Sequence, residues 1–256
     1  MSESAQVWPV DWGWLNIGAT RPLFCDEGRW CCLSAWQMPA PPNIADMTEH
    51  LTLNTVIHAA VRRDVARFQQ ALTAFPIGSR ERAAQLEMAW QNLDHQLYHH
   101  HRGEETIFWP ALRELGADES LVGDLGGEHE RLAEAMTLAR NAMSALASDP
   151  SEAKVDHARA AFDTLGDVVD THFTHEERDL EPMLAGVIAS PEWKRAQAQI
   201  RKTQGPAATG VLVAWLLDNA DPDARRFVRH EIPRPAVFVL SHVLGRSYKR
   251  VAAAWQ

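Results

Sequence analysis

Two segments of this chain repeat one pattern, and that repeat narrows the fold more than any other feature. His100-His-Arg-Gly-Glu-Glu-Thr-Ile-Phe-Trp-Pro110 and His172-Phe-Thr-His-Glu-Glu-Arg-Asp-Leu-Glu-Pro182 share three marks: a Glu four residues after a His, a second Glu directly behind it, and a Pro ten residues after the His. On an α-helix, positions i and i+4 lie on one face about one turn apart, so each segment offers an imidazole and a carboxylate to the same point. His58 precedes His100 by 42 residues, and His129 precedes His172 by 43. Each half therefore reads as a helix with one His followed by a helix with His-x-x-x-Glu. Antiparallel stacking of the two hairpins would gather His58, His100, Glu104, His129, His172 and Glu176 at mid-bundle. The repeat selects these four histidines from the chain's 12.

The surrounding pattern is helical throughout. Leu53, Val56, Ile57, Ala60, Val61, Phe68 and Leu72 recur mostly at i, i+3, i+4, i+7 spacing and predict a helix over Leu51–Phe75. Pro76-Ile-Gly78 breaks it, and Ser79 reads as the N-cap of a second helix running towards Leu115. Pro110 is expected to kink or end that helix, and Gly116 to stop it. A third helix is expected from about Asp118 to Leu146, with weak first turns because of Gly123, Gly126 and Gly127. A fourth is expected from Glu152 to about Leu184. The expected fold class is all-α: an up-down-up-down four-helix bundle over residues 47–185, with a C-terminal helical extension over 186–256. The extension should pack on the bundle or on a partner, through pieces at Pro191–Lys202, Ala207–Asn219, Pro222–Ile232 and Arg246–Trp255, with Pro233 and Pro235 as separators. Residues 1–46 hold Cys25, Cys31 and Cys32, five tryptophans and five prolines without any periodicity. They read as an irregular extension, with Met47 as an alternative start.

Composition excludes several functions. A net charge of −9 and the lack of a Lys/Arg run argue against nucleic acid and anionic membrane as partners. The longest apolar run, Val211–Leu217, is far short of the about 20 residues a bilayer span needs. Residues 1–20 lack a secretory h-region, and three cysteines make a poor disulfide framework, so the expected localisation is cytoplasmic.

Two cations buried in a helical core need anionic ligands, which two glutamates can supply while imidazoles fill the outer positions. Nitrogen and oxygen donors without thiolate suit iron, manganese or zinc. Carboxylate-bridged pairs in a helical bundle favour iron or manganese over zinc. Six side chains for two metals leave positions open to water, O₂ or peroxide. His99 and His101 flank His100 at about 100° on either side and read as surface or supporting residues. The rival pair His101 with Glu105 is disfavoured by the Pro register. His175 reads as solvent-facing, with a donor to Glu176 or a substitute ligand as alternatives; Glu105 and Glu177 read as orienting ligands or facing solvent, and Tyr98 as an ordinary packed tyrosine, with a phenol reaching the site as its alternative. His50, His95, His157, His230 and His242 have no partner at ligand spacing.

From about Asn54 to Leu184 the chain resembles the hemerythrin-like (HHE cation-binding) domain family. The family's H…HxxxE…H…HxxxE set falls on His58, His100, Glu104, His129, His172 and Glu176, and the doubled Glu, the trailing Pro and the run His175-Glu-Glu177 are also family habits. The resemblance implies a non-haem di-iron protein that binds or turns over O₂, H₂O₂ or NO, with catalase- or peroxidase-like activity as its enzymatic form. The alternative is an iron- or redox-sensing or iron-handling module without turnover. Oxygen-carrying members have a second His four residues after the third-helix His, where this chain has Ala133. That departure implies peroxide, NO or iron chemistry, or sensing, rather than reversible O₂ storage. The ferritin-like alternative needs Glu-x-x-His pairs, and no His here has a Glu three residues before it. The expected partners are a small diatomic ligand or peroxide and, through the C-terminal helices, a second copy of the chain.

Overall fold

The structure is a computed structural model that describes residues 51–256, and these form one compact unit. The expectations for residues 1–46 and Met47 lie outside the described residues. Among the described residues every regular element is helical.

Local chemistry sets the ends of the four long helices. Helix α1 (Leu53–Thr73) starts at Thr52, whose hydroxyl accepts from the Thr55 N–H while the Thr55 side chain reaches back to the Thr52 N–H. Helix α2 (Arg80–Gly103) opens on Ser79 as expected, its side chain accepting from the Arg82 N–H at 3.2 Å. Helix α4 (Glu119–Ser148) is capped by Asp118, and α5 (Glu152–His175) follows Ser151. Between them α3 (Trp109–Glu114) ends before Gly116, whose φ of +87° is open to glycine at little cost.

Pro110 does not end its helix. The chain passes through one π-helical turn, Glu104–Phe108, and continues as α3. The repeat does the same at Glu176–Leu180, leading into α6 (Glu181–Val187). In each turn an N–H reaches five residues back: Trp109 to the Glu104 carbonyl, and Glu181 to the Glu176 carbonyl. Proline has no N–H to give, and its ring crowds the carbonyl four residues earlier. One wider turn relieves both problems without breaking the helix. Such turns concentrate at functional sites, and both begin at the Glu of the repeated motif.

Helix α1 packs on α5, α2 on α4, and α4 along α5. The main apolar core includes Phe68, Trp90, Leu93, Leu132, Met143, Phe162 and Leu165, all almost fully buried. A smaller cluster gathers Trp109, Leu112, Val122, Leu125, Leu180 and Leu184 with Trp193. Along α2–α3, α4 and α5–α6 alike, the motif residues lie between the stretch that feeds one cluster and the stretch that feeds the other. The candidate site is therefore plugged by hydrocarbon on two sides.

The C-terminal region contains α7 (Pro191–Thr203), α8 (Pro206–Leu217), α9 (Pro222–Glu231), α10 (Arg234–Phe238) with a π-helical turn at Val239–Val243, and α11 (Tyr248–Ala252). Helix α10 falls where Pro233 and Pro235 are expected to separate helices. Proline in a first turn starts a helix rather than stopping one. Trp215, Leu216, Val228 and Tyr248 belong to the main core. Gly210 and Gly245 let two backbones cross, since a Cβ on Gly245 would stand 2.2 Å from the Gly210 carbonyl oxygen.

A buried ion network fastens this region to α1. Asp64 is 1% exposed and accepts from Trp215 Nε1 at 2.7 Å, Arg63 Nε at 2.9 Å and Arg67 Nη1 at 3.1 Å. Arg67 also donates to Asp218 Oδ2 at 2.7 Å, and the Tyr248 hydroxyl donates to the same oxygen at 2.9 Å. Burial, then the Asp64 and Asp218 carboxylates, push the Tyr248 phenol far above its ordinary range, so it remains a donor. Removing one partner from a buried network leaves the others desolvated and uncompensated. Asp64→Ala is expected to lower unfolding free energy by about 3 kcal/mol, whereas Asp156→Ala, in an exposed pair with Arg159, should cost under about 1 kcal/mol. Urea unfolding of the two variants checks the contrast.

Candidate metal centre

All six residues expected from the repeat converge. His58 comes from α1, His100 from the last turn of α2, His129 from α4, and His172 from the last turn of α5. Glu104 and Glu176 each open a π-helical turn. Potential ligand atoms form two groups, each within 4.8 Å: His58, His100, Glu104 and Glu176 in one, and His101, Glu104, His129 and His172 in the other. Glu104 belongs to both. Its Oε1 lies 3.2 Å from His100 Nε2 and its Oε2 lies 3.5 Å from His129 Nε2. His58 Nε2 stands 3.1 Å from His100 Nε2 and 3.3 Å from Glu176 Oε2, while His129 and His172 bring their Nε2 atoms to 3.2 Å.

His101 corrects the sequence reading, which set it aside as a surface or supporting residue. It is 8% exposed and its ring lies 4.4 Å from that of His129. The 100° step from His100 does not carry it to solvent, because α2 has neighbours on more than one side. His100 meets α1 at His58, and His101 meets α4 and α5 at His129 and His172. His99 is exposed beside His95, and Tyr98, expected to be packed, is 54% exposed.

The second Glu of each motif now has a place. Glu177 Oε1 lies 3.0 Å from His58 Nδ1, and Glu105 Oε1 lies 3.0 Å from His129 Nδ1. Each motif thus holds the single histidine of the other half. Glu128 Oε2 holds His172 Nδ1 at 3.1 Å, and its Oε1 meets His175 Nδ1 at 2.9 Å. His175 accordingly steadies Glu128 and does not face the centre. Arg62 Nη1 donates to Glu177 at 2.6 Å. An ionised carboxylate only accepts, so Nδ1 of His58, His129 and His172 carries the hydrogen, and in the neutral ring Nε2 turns a lone pair inward. Sequence reasoning missed Glu128: one carboxylate beside a ligand position has no spacing signal of its own.

The interior has too few hydrogens for its acceptors. Both oxygens of Glu104, both of Glu176, and His101 Nε2 are buried without a hydrogen-bond partner. Unpaired buried carboxylates cost several kcal/mol, on the order of the penalties for other desolvated polar groups, and facing imidazole lone pairs repel. A Lewis acid between them removes both problems, and the nitrogen and oxygen donors suit a borderline or hard cation. The residues present therefore fit a pair of cations held about a shared carboxylate. Phe173 stacks on His58 at 3.7 Å, and Trp109 stacks on His129 at 4.5 Å, giving the site apolar walls.

Electrostatics follow the same layout. Burial, and after it the neighbouring imidazoles, hold His100 and His101 well below the ordinary histidine range. Burial also lowers His129 and His172. Burial presses His58 down too, but Glu176 and Glu177 outweigh it and leave it raised, which marks a point that favours positive charge. Burial and Glu176 push Glu104 well up, whereas Glu176, also raised by burial, is brought below its usual range by His58, His172 and His129. Ala133, one turn after His129 on α4, is exposed.

The family model described as the hemerythrin HHE cation binding domain matches residues 55–184, with a second, overlapping match over 122–204. No curated protein and no solved structure matches the chain. Orienting carboxylates of this kind set metal affinity by about 10–100-fold. Glu128→Ala, which frees His172 at Nδ1, should weaken metal binding to that degree with helicity unchanged, as read by chelator competition and circular dichroism.

Proposed function

This chain belongs to the hemerythrin HHE cation-binding domain family, and on that premise we propose that it is a non-haem di-iron protein that binds or turns over O₂, H₂O₂ or NO. The observation that carries this reading is Glu104, buried, shared by both ligand groups, and unpartnered at both oxygens. His58, His100, Glu104, His129, His172 and Glu176 would hold the ions, with manganese or zinc as the alternative occupants. The four long helices are read as an up-down-up-down bundle around this centre. When bound, the ions supply Lewis-acid and redox chemistry at positions the protein leaves open.

The chain's own residues define what reaches those positions. Glu105, Glu128 and Glu177 fix the tautomers of His129, His172 and His58, so lone pairs are aimed before a cation arrives. Phe173 and Trp109 exclude water from two faces. A centre this closed suits a diatomic molecule or peroxide better than an organic substrate. Catalase- or peroxidase-like turnover is the enzymatic form of this reading, in a cytoplasmic protein with no nucleic-acid or membrane partner. Among the described residues no helix is long and apolar enough to cross a membrane.

A second reading, a redox or iron sensor, is favoured by the Asp64 network. His58 and Asp64 share α1, so a change at the centre is relayed along one helix to Trp215, Asp218 and Tyr248. Limited proteolysis with and without chelator separates the readings, because a sensor shows a large change in cleavage after Leu184 and a catalyst a small one. For the first reading, protein purified without added metal should contain about two irons per chain, as paired-metal sites require, and consume peroxide. His100→Ala should lose iron and at least about tenfold of that consumption. Full activity without His100 would sink it.

A further inference from the structure

The two halves of the repeat agree at His100 and His172, at Glu104 and Glu176, at Glu105 and Glu177, at the π-helical turns and at the prolines. They part at the residue after the first histidine, which is His101 in one half and Phe173 in the other. Phe173 lies flat on His58, with 5° between the rings. His101 meets His129 at 66°, an edge-on approach, and its Nε2 is buried with no hydrogen-bond partner. Where one half closes the centre with hydrocarbon, the other brings a seventh donor.

We propose that His101 is itself a metal ligand, the fifth imidazole of the centre, and that it makes the two metal positions chemically unequal. One position has His101, His129, His172 and a Glu104 oxygen; the other has His58, His100, Glu176 and the second Glu104 oxygen. The first is rich in nitrogen, the second in carboxylate. Nitrogen-rich sets discriminate among first-row divalent ions more strongly than carboxylate-rich sets do. The two positions therefore fill in separate steps, and one of those steps depends on His101.

This inference rests on the di-metal reading, and the experiment separates the two. The full chain, His101→Phe and His101→Glu are titrated with cobalt(II) under chelator competition, with elemental analysis, visible absorption and circular dichroism. His101→Phe copies the residue the other half uses at this place. It should keep one tightly held ion and bind the second at least about tenfold more weakly, as loss of one donor implies. His101→Glu should keep two ions, with a shifted cobalt absorption because an oxygen replaces a nitrogen. Two ions at unchanged affinity and an unchanged spectrum in His101→Phe would overturn the role of His101 while leaving the di-metal reading intact. If His101→Phe does not fold, His101→Glu decides, and an unshifted spectrum there overturns the role. If the unmodified chain holds no more than traces of metal, the di-metal reading falls and this inference falls with it.

Discussion

Everything at the centre of this protein depends on Glu104, a buried carboxylate with neither oxygen hydrogen-bonded. Charge in that setting is too costly to keep unless positive charge meets it. The helices around it are arranged to aim lone pairs at the same point: His100 and His129 on opposite oxygens, His58 and His172 behind them. Glu105, Glu128 and Glu177 then remove the freedom of three rings to turn or change tautomer. A site prepared in this way costs stability in the protein alone and recovers it on binding cations, so metal affinity and folding are linked.

The repeat has a structural price as well as a chemical purpose. Pro110 and Pro182 both force a π-helical turn, and both turns open on a glutamate of the candidate centre. The wider turn presents Glu104 and Glu105, or Glu176 and Glu177, as adjacent carboxylates with different tasks, one turned to the centre and one to a histidine of the other half. The crosswise pairing of Glu177 with His58 and Glu105 with His129 joins the hairpins at their chemically most demanding point.

Much of this was legible in the sequence because it is periodic. The helix starts at Ser79 and Asp118, the stop at Gly116, and the six repeat-matched residues all follow from spacing or local capping. What stayed hidden depends on which neighbour a helix face meets. The angle between His101 and His100 implies solvent only for a helix with one neighbour, and a helix with several neighbours has more than one inward direction. Glu128 lacks a counterpart in the first half, where Ile57 stands in the corresponding place before His58. The Asp64 network joins residues about 150 positions apart, and no pattern in the chain announces a buried aspartate whose partners include an indole N–H. Pro235 looked like a break because a proline at a helix start and one between helices read alike in isolation.

The central claim is that one carboxylate lies between two cations. Crystals of the iron-loaded protein, with data collected at the iron absorption edge, test it most directly through an anomalous difference map. Two peaks about 3.5–4 Å apart, as in other paired-metal sites, are expected on either side of the Glu104 carboxylate, each within ligand distance of one of the two histidine groups. A single peak, or peaks that do not share Glu104, would contradict it.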